Sequence, residues 1–211
     1  MSDVRSRAGS HMVPRMKRVL WSSLIGVALP AFATTLIAMD VPALTKAADV
    51  VVRGTVVRVE PRWTLDGARI VTDSEILVSH VLKGNVVAKT VVAMQPGGVV
   101  GDVGQKVHGA ASFTLGDEVV VFLERRGDRF AVVGMAQGRF SVDRSGPEAM
   151  VRGGEETLHL VDAKTHQPVE APVQPMSLAR LEALVRESLT AVTPEPTSPK
   201  RPLTPKPVNT P

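Results

Sequence analysis

The residues able to do chemistry are few and scattered. There are five histidines, His11, His80, His108, His159 and His166, and no cysteine. The absence of cysteine excludes thiolate metal sites, a disulfide framework and a lipidated-cysteine anchor. No histidine falls at HExxH or other paired-ligand spacing. His80 and His108 flank an expected third strand and its loop. Completed by Asp102, they would make a metal-dependent hydrolase, which is the enzymatic alternative. Ordinary surface histidines are the simpler expectation. GxSxG is absent, and no SxxK or Ser/His/Asp set stands in a recognisable context. The carboxylate pairs Asp117-Glu118 and Glu155-Glu156 are adjacent, and neighbouring residues of a strand point to opposite faces, so they form no acid–base pair. The expectation is a protein that is not an enzyme, with no catalytic residues, no cofactor and no metal.

Glycines are the next candidates. Gly98, Gly101 and Gly104 are spaced three apart, as in a phosphate cradle. Such cradles sit between a strand and a helix, and no helical pattern follows here. The segment Gln95 to Gly109 therefore reads as a mobile, glycine-rich loop, where a partner can approach the backbone closely. Gly97, Gly98, Gly101 and Asp102 of this loop, with Trp63 of the 61–68 loop, are the candidate partner-binding residues. Arg126-Gly127-Asp128 is an RGD tripeptide between two strands, and its Gly and Asp suit a tight turn.

The elements that must position these residues are mostly strands. Ala48–Glu60 holds six valines in thirteen residues, around a Gly54 that permits a bend or bulge. A strand is expected over Val50–Glu60, ended by Pro61. A second, over Arg69–Leu82, alternates with period two, imperfectly in its middle. Its length suits a strand curling round a barrel. Further strands are expected near Val86–Met94, Glu118–Glu124, Arg129–Gly134 and Gln137–Val142, with a short one at Thr157–Val161. Thr34–Lys46 reads as a connector, and 143–154 as polar and Gly-rich. Ser177 can cap a helix over Leu178–Leu189, whose apolar face (Leu178, Leu181, Leu184, Val185, Leu189) would pack on the barrel. Glu182 and Arg186 would pair on its outer side. The fold class is all-β: a small OB-like barrel of five to six strands with one C-terminal helix, spanning about 47–192.

Charge and the chain ends bound the setting. Of 25 basic and 21 acidic residues, the first 33 positions hold five and one, leaving 20 of each afterwards. A neutral domain with five aromatics after that point (Trp63, Phe113, Phe122, Phe130, Phe140) lacks the basic, stacking surface of a nucleic-acid binder. Met16-Lys17-Arg18, an apolar run to Leu29, Pro30 and Ala31-Phe32-Ala33 form a signal peptide over 16–33, with cleavage expected after Ala33. The apolar run is short of the ~20 residues that span a bilayer, so no stable membrane insertion is expected after cleavage. Residues 1–15 fit neither leader nor fold: they read as a non-native segment, Gly9-Ser10-His11-Met12 resembling a cloning scar, or as a start placed too early, with Met16 the expected start. The segment 193–211, with seven prolines from Pro194 onward, reads as a disordered, polyproline-like spacer. A secreted or periplasmic protein follows.

Three segments together resemble the netrin-like domains, the group that includes the tissue inhibitors of metalloproteinases. They are Ala48-Asp49-Val50-Val51-Val52-Arg53-Gly54, the long strand ending Val81-Leu82-Lys83-Gly84, and, after a Gly-rich loop, Gly116-Asp117-Glu118-Val119-Val120-Val121-Phe122-Leu123. The similarity covers about 47–142. It implies a five-stranded OB-type barrel and a habit of protein binding. The inhibitors' zinc-chelating N-terminal cysteine has no counterpart, so that mechanism does not transfer. The functional expectation is an exported, non-enzymatic module contacting a protein partner, such as a secreted protease, through barrel-end loops. A cell-envelope structural or carbohydrate-contacting domain is the other alternative.

Overall fold

Runs of consecutive valines need cover on both faces, because a strand sends successive side chains to opposite sides. A computed structural model describes residues 35–154, 159–169 and 173–191 and shows how that cover arises. In chain order the strands are β1 (Thr35–Ile37), β2 (Val50–Trp63), β3 (Ile70–Lys83), β4 (Thr90–Pro96), β5 (Gly98–Val100), β6 (Val103–Gln105), β7 (Glu118–Arg126), β8 (Arg129–Val132), β9 (Arg139–Asp143), β10 (Met150–Gly153), β11 (His159–Val161), β12 (Pro168–Val169) and β13 (Met176–Ser177). Helix α1 spans Val41–Ala47 and helix α2 spans Leu178–Thr190.

Five strands close on themselves. β2 pairs with β3, β3 with β4, β4 with β8, β8 with β7, and β7 with β2. The β4–β8 seam is parallel, through Ala93 and Phe130, while the other four pairings are antiparallel. This ring is the OB-like barrel. β9, β10 and β13 extend the sheet from β7. Among the described residues, no helix is long and apolar enough to cross a membrane.

Closure bends β2 hard. Its register against β3 shifts at three places, one of them between Arg53 and Gly54. A Cβ at Gly54 would lie 2.3 Å from the Leu77 carbonyl oxygen, so the glycine admits the partner strand.

The core has two layers. Val50, Val52, Val56, Ile76, Val91, Val119, Val121, Leu123 and Phe130 fill the barrel. Val51, Val120 and Phe122 point outward from the same strands and are covered by Val41 and Leu44 of α1, Leu178, Leu181 and Val185 of α2, and Phe140. Phe122 and Phe140 meet edge to face at 5.7 Å. Burial on both sides explains the unbroken apolar run Val119–Leu123. Phe122 and Phe130 are both core but lie in different layers.

The boundaries differ from expectation in instructive ways. β2 continues through Pro61, which stands opposite Thr72. β7 flanks β2 only over Val50–Thr55, so Pro61 lies where the strand has an open edge and its missing donor is tolerated. β4 begins at Thr90 rather than Val86. Thr34–Lys46 is not a plain connector: β1 and all but the last residue of α1 fall in it, the helix started by Asp40, whose carboxylate accepts from the Ala43 N–H at 2.8 Å. β10 forms inside the polar stretch 143–154, because Val151 is buried against β9 and α2. α2 is capped by Ser177 as predicted. Glu182, however, pairs with Arg53 at 3.1 Å instead of with the Arg186 side chain. The leader, the tail and residues 155–158 lie outside the described residues.

Candidate binding site at the barrel end

The β2–β3 hairpin runs beyond the barrel and ends in the turn 64–69. Asp66 accepts from the Thr64 hydroxyl at 2.5 Å and from the Ala68 N–H at 3.1 Å. Those bonds hold its carboxyl below the ordinary carboxylate range and fix the turn. Trp63 is the last residue of β2, not part of a loop, and is 40% exposed. Leu65, at the turn, is fully exposed.

The segment 95–109 is not a free loop. Its first half is a small hairpin, β5–β6, that folds back on the β2–β3 arm. Gly97 N–H donates to the Ile70 carbonyl at 2.8 Å, and the Thr72 hydroxyl donates to the Gly97 carbonyl at 2.7 Å. The Gln105 side-chain oxygen accepts from the Ile70 N–H at 2.8 Å. Gly98 lies so close over Pro61 and Thr72 that a Cβ there would sit 3.0 Å and 2.5 Å from them. Gly101 and Asp102 form the exposed tip, flanked by Val99 (62% exposed) and Val103 (49% exposed). The structure thus joins Trp63, Gly97 and Gly98 into one interlocked end of the molecule, with Gly101 and Asp102 projecting from it.

Beneath the hairpin is an open groove of about 580 Å³. Val59, Val99, Val107, Ala110, Ala111 and Phe113 give it apolar walls, and Thr72 and Gln95 also line it. The register puts Thr72 opposite Gln95, both on the inward face of their strands. The polar groups Thr72, Ser74 and Gln95 follow the apolar barrel residues Ile76, Val91 and Ala93 in order. The Ser74 hydroxyl donates to Gln95 Oε1 at 3.1 Å, while Gln95 Nε2 is buried without a hydrogen-bond partner. Sequence reading missed this wall. Ser74 and Gln95 carried a faint signal, as polar residues at inward positions of alternating strands.

Charged groups outside the groove are mutually engaged. Asp73 accepts from Arg62 Nε at 2.8 Å and Arg129 Nε at 3.1 Å, tying the β7–β8 hairpin to the β2–β3 arm. The bond to Asp73 raises the Arg62 pKa further above its already high value. In the RGD turn, Arg126 bonds Glu124 at 2.7 Å and Asp128 bonds Arg129 at 3.1 Å, so both charged ends are held by neighbours. On the far side of the barrel, Glu118 takes a two-point contact from Arg144, 2.6 and 2.8 Å. That contact is the main reason its carboxyl titrates below the ordinary range.

The metal alternative finds no convergence. His80 faces Arg53, whose Nη2 is 2.6 Å from His80 Nδ1, His108 is exposed beyond β6, and Asp102 is at the hairpin tip. Among the described residues, no group of three His, Cys, Asp or Glu is placed to hold a metal ion. No protein-family model matches the chain, and no curated protein matches it either.

Proposed function

We propose that the protein is an exported, non-enzymatic binding module that grips a protein partner, such as a secreted protease, with the barrel end built from the β2–β3 and β5–β6 hairpins. One observation carries this reading. Trp63, Leu65, Val99 and Val103 are exposed apolar side chains on two hairpins locked together at their bases. Exposed apolar residues that cluster on ordered elements mark contact surfaces, and tryptophan is enriched at the centre of such contacts. The netrin-like resemblance and the signal-peptide pattern point the same way.

The test uses mature protein recovered after export of the full chain. Immobilised at micromolar concentration, it is exposed to culture fluid and envelope extract beside a Trp63→Ala/Leu65→Ser variant. Retention of a discrete protein by the parent and its loss from an equally stable variant supports the reading. Retention of nothing, or equal retention by both, removes it.

A further inference from the structure

We infer that the groove beneath the β5–β6 hairpin is a receptor for the C-terminal end of an apolar polypeptide. The inference rests on the protein-binding reading and names the part of the partner that enters.

Three features select this occupant. The first is the Gln95 amide. Gln95 is 5% exposed, its oxygen is engaged by Ser74, and its Nε2 has no partner. A buried unsatisfied donor is costly, and such groups in folded proteins ask for an acceptor. A peptide carbonyl supplies one. The second is the lining. Among the described lining residues Lys106 is the sole charged side chain, it is exposed, and no carboxylate shares the groove with it. The one formal charge on the lining is therefore positive, which suits an anion. The third is the wall. Val59, Val99, Val107, Ala110, Ala111 and Phe113 offer apolar surface on several sides, suited to one or two aliphatic side chains. A neutral acceptor, a carboxylate and aliphatic side chains occur together, spaced along a chain, at the end of a polypeptide. β5 and β6 add short strand edges beside the groove, along which an extended peptide can lie.

The probe is a dansylated Ala-Val-Pro-Val tetrapeptide with a free carboxylate, compared with the same peptide as its C-terminal amide. Binding is read by fluorescence, and the site by the nitrogen-15 resonances of the Gln95 side-chain amide in the mature protein. The acid is expected to bind about tenfold more tightly than the amide, and to shift the Gln95 NH₂ pair. Lys106→Gln, on the exposed rim, should reduce the acid to the affinity of the amide and leave the amide unchanged. Gln95→Met should weaken both peptides when measured below its own melting midpoint, which falls because the buried Ser74 hydroxyl loses its acceptor.

Equal affinity for acid and amide overturns the inference. So does an unshifted Gln95 amide, or an amide that shows exchange contact with a resident water before and after peptide addition. Absence of peptide binding in a protein that still retains a partner through Trp63 and Leu65 also overturns it, and leaves the protein-binding reading standing. Peptide binding that persists in the Trp63→Ala/Leu65→Ser variant supports the groove on its own.

Discussion

Gly98 is held at φ 137°, a conformation that residues with a side chain rarely adopt, over Thr72 and Pro61. Gly98→Ala should cost about 1–3 kcal/mol from strain and collision. The denaturant midpoint should fall with an unchanged slope, and partner retention should fall further than stability alone accounts for, because the hairpin loses its seat. Glu118 makes a separate prediction. Its folded-state pKa is depressed, so its contribution is present above the unfolded pKa and is lost as pH falls through the folded value. Arg144→Gln should therefore be slightly less stable than the parent at neutral pH, the effect kept small by solvent screening of Arg144. The difference should vanish in strong acid, which unfolding measured across the acid range will show. Residue types alone singled out Trp63 and the glycines, and the fold brings Trp63, Gly97 and Gly98 to one end. They could not name Gln95, because a lone glutamine becomes notable only when its neighbours fail to satisfy it.

At the level of elements, the strands buried on both faces were the easiest to read and the edges the hardest. Val50–Val52 and Val119–Leu123 carry enough apolar, β-branched character to declare themselves. The end of β2 did not, because Pro61 is tolerated by an edge that only the pairing with β7 defines. The α1 segment held a legible signal in Asp40 followed by Pro42, a cap and a first-turn proline, which its shortness obscured. β10 was hidden because its single buried valine is covered only by pairing with β9 and packing under α2, contacts that leave no local pattern in a polar stretch. The helix α2 is a covering element, and its removal should be felt. Leu181 is fully buried among Leu44, Val51, Phe122 and Val185. Leu181→Ala should cost about 2–5 kcal/mol in unfolding free energy, while binding at the opposite hairpins persists below the new midpoint.

For the whole molecule, the five-strand closure sets one end of the barrel apart from the rest. The layer of α1, α2 and β9 buries the outward face of β2 and β7, while the long β2–β3 arm carries exposed apolar residues beyond the ring. That asymmetry is what the proposed binding at the hairpin end rests on. The proposed export is tested on the whole chain as well: N-terminal sequencing of an exported product should begin at Thr34. A product beginning at Met16 or earlier would contradict the signal-peptide reading. The central claim is tested most directly by hydrogen–deuterium exchange of the mature protein with and without its retained partner. Protection is predicted at residues 61–69 and 97–107, with exchange across α1 and α2 unchanged. Protection confined to the α2 side, or none at either hairpin, would contradict it.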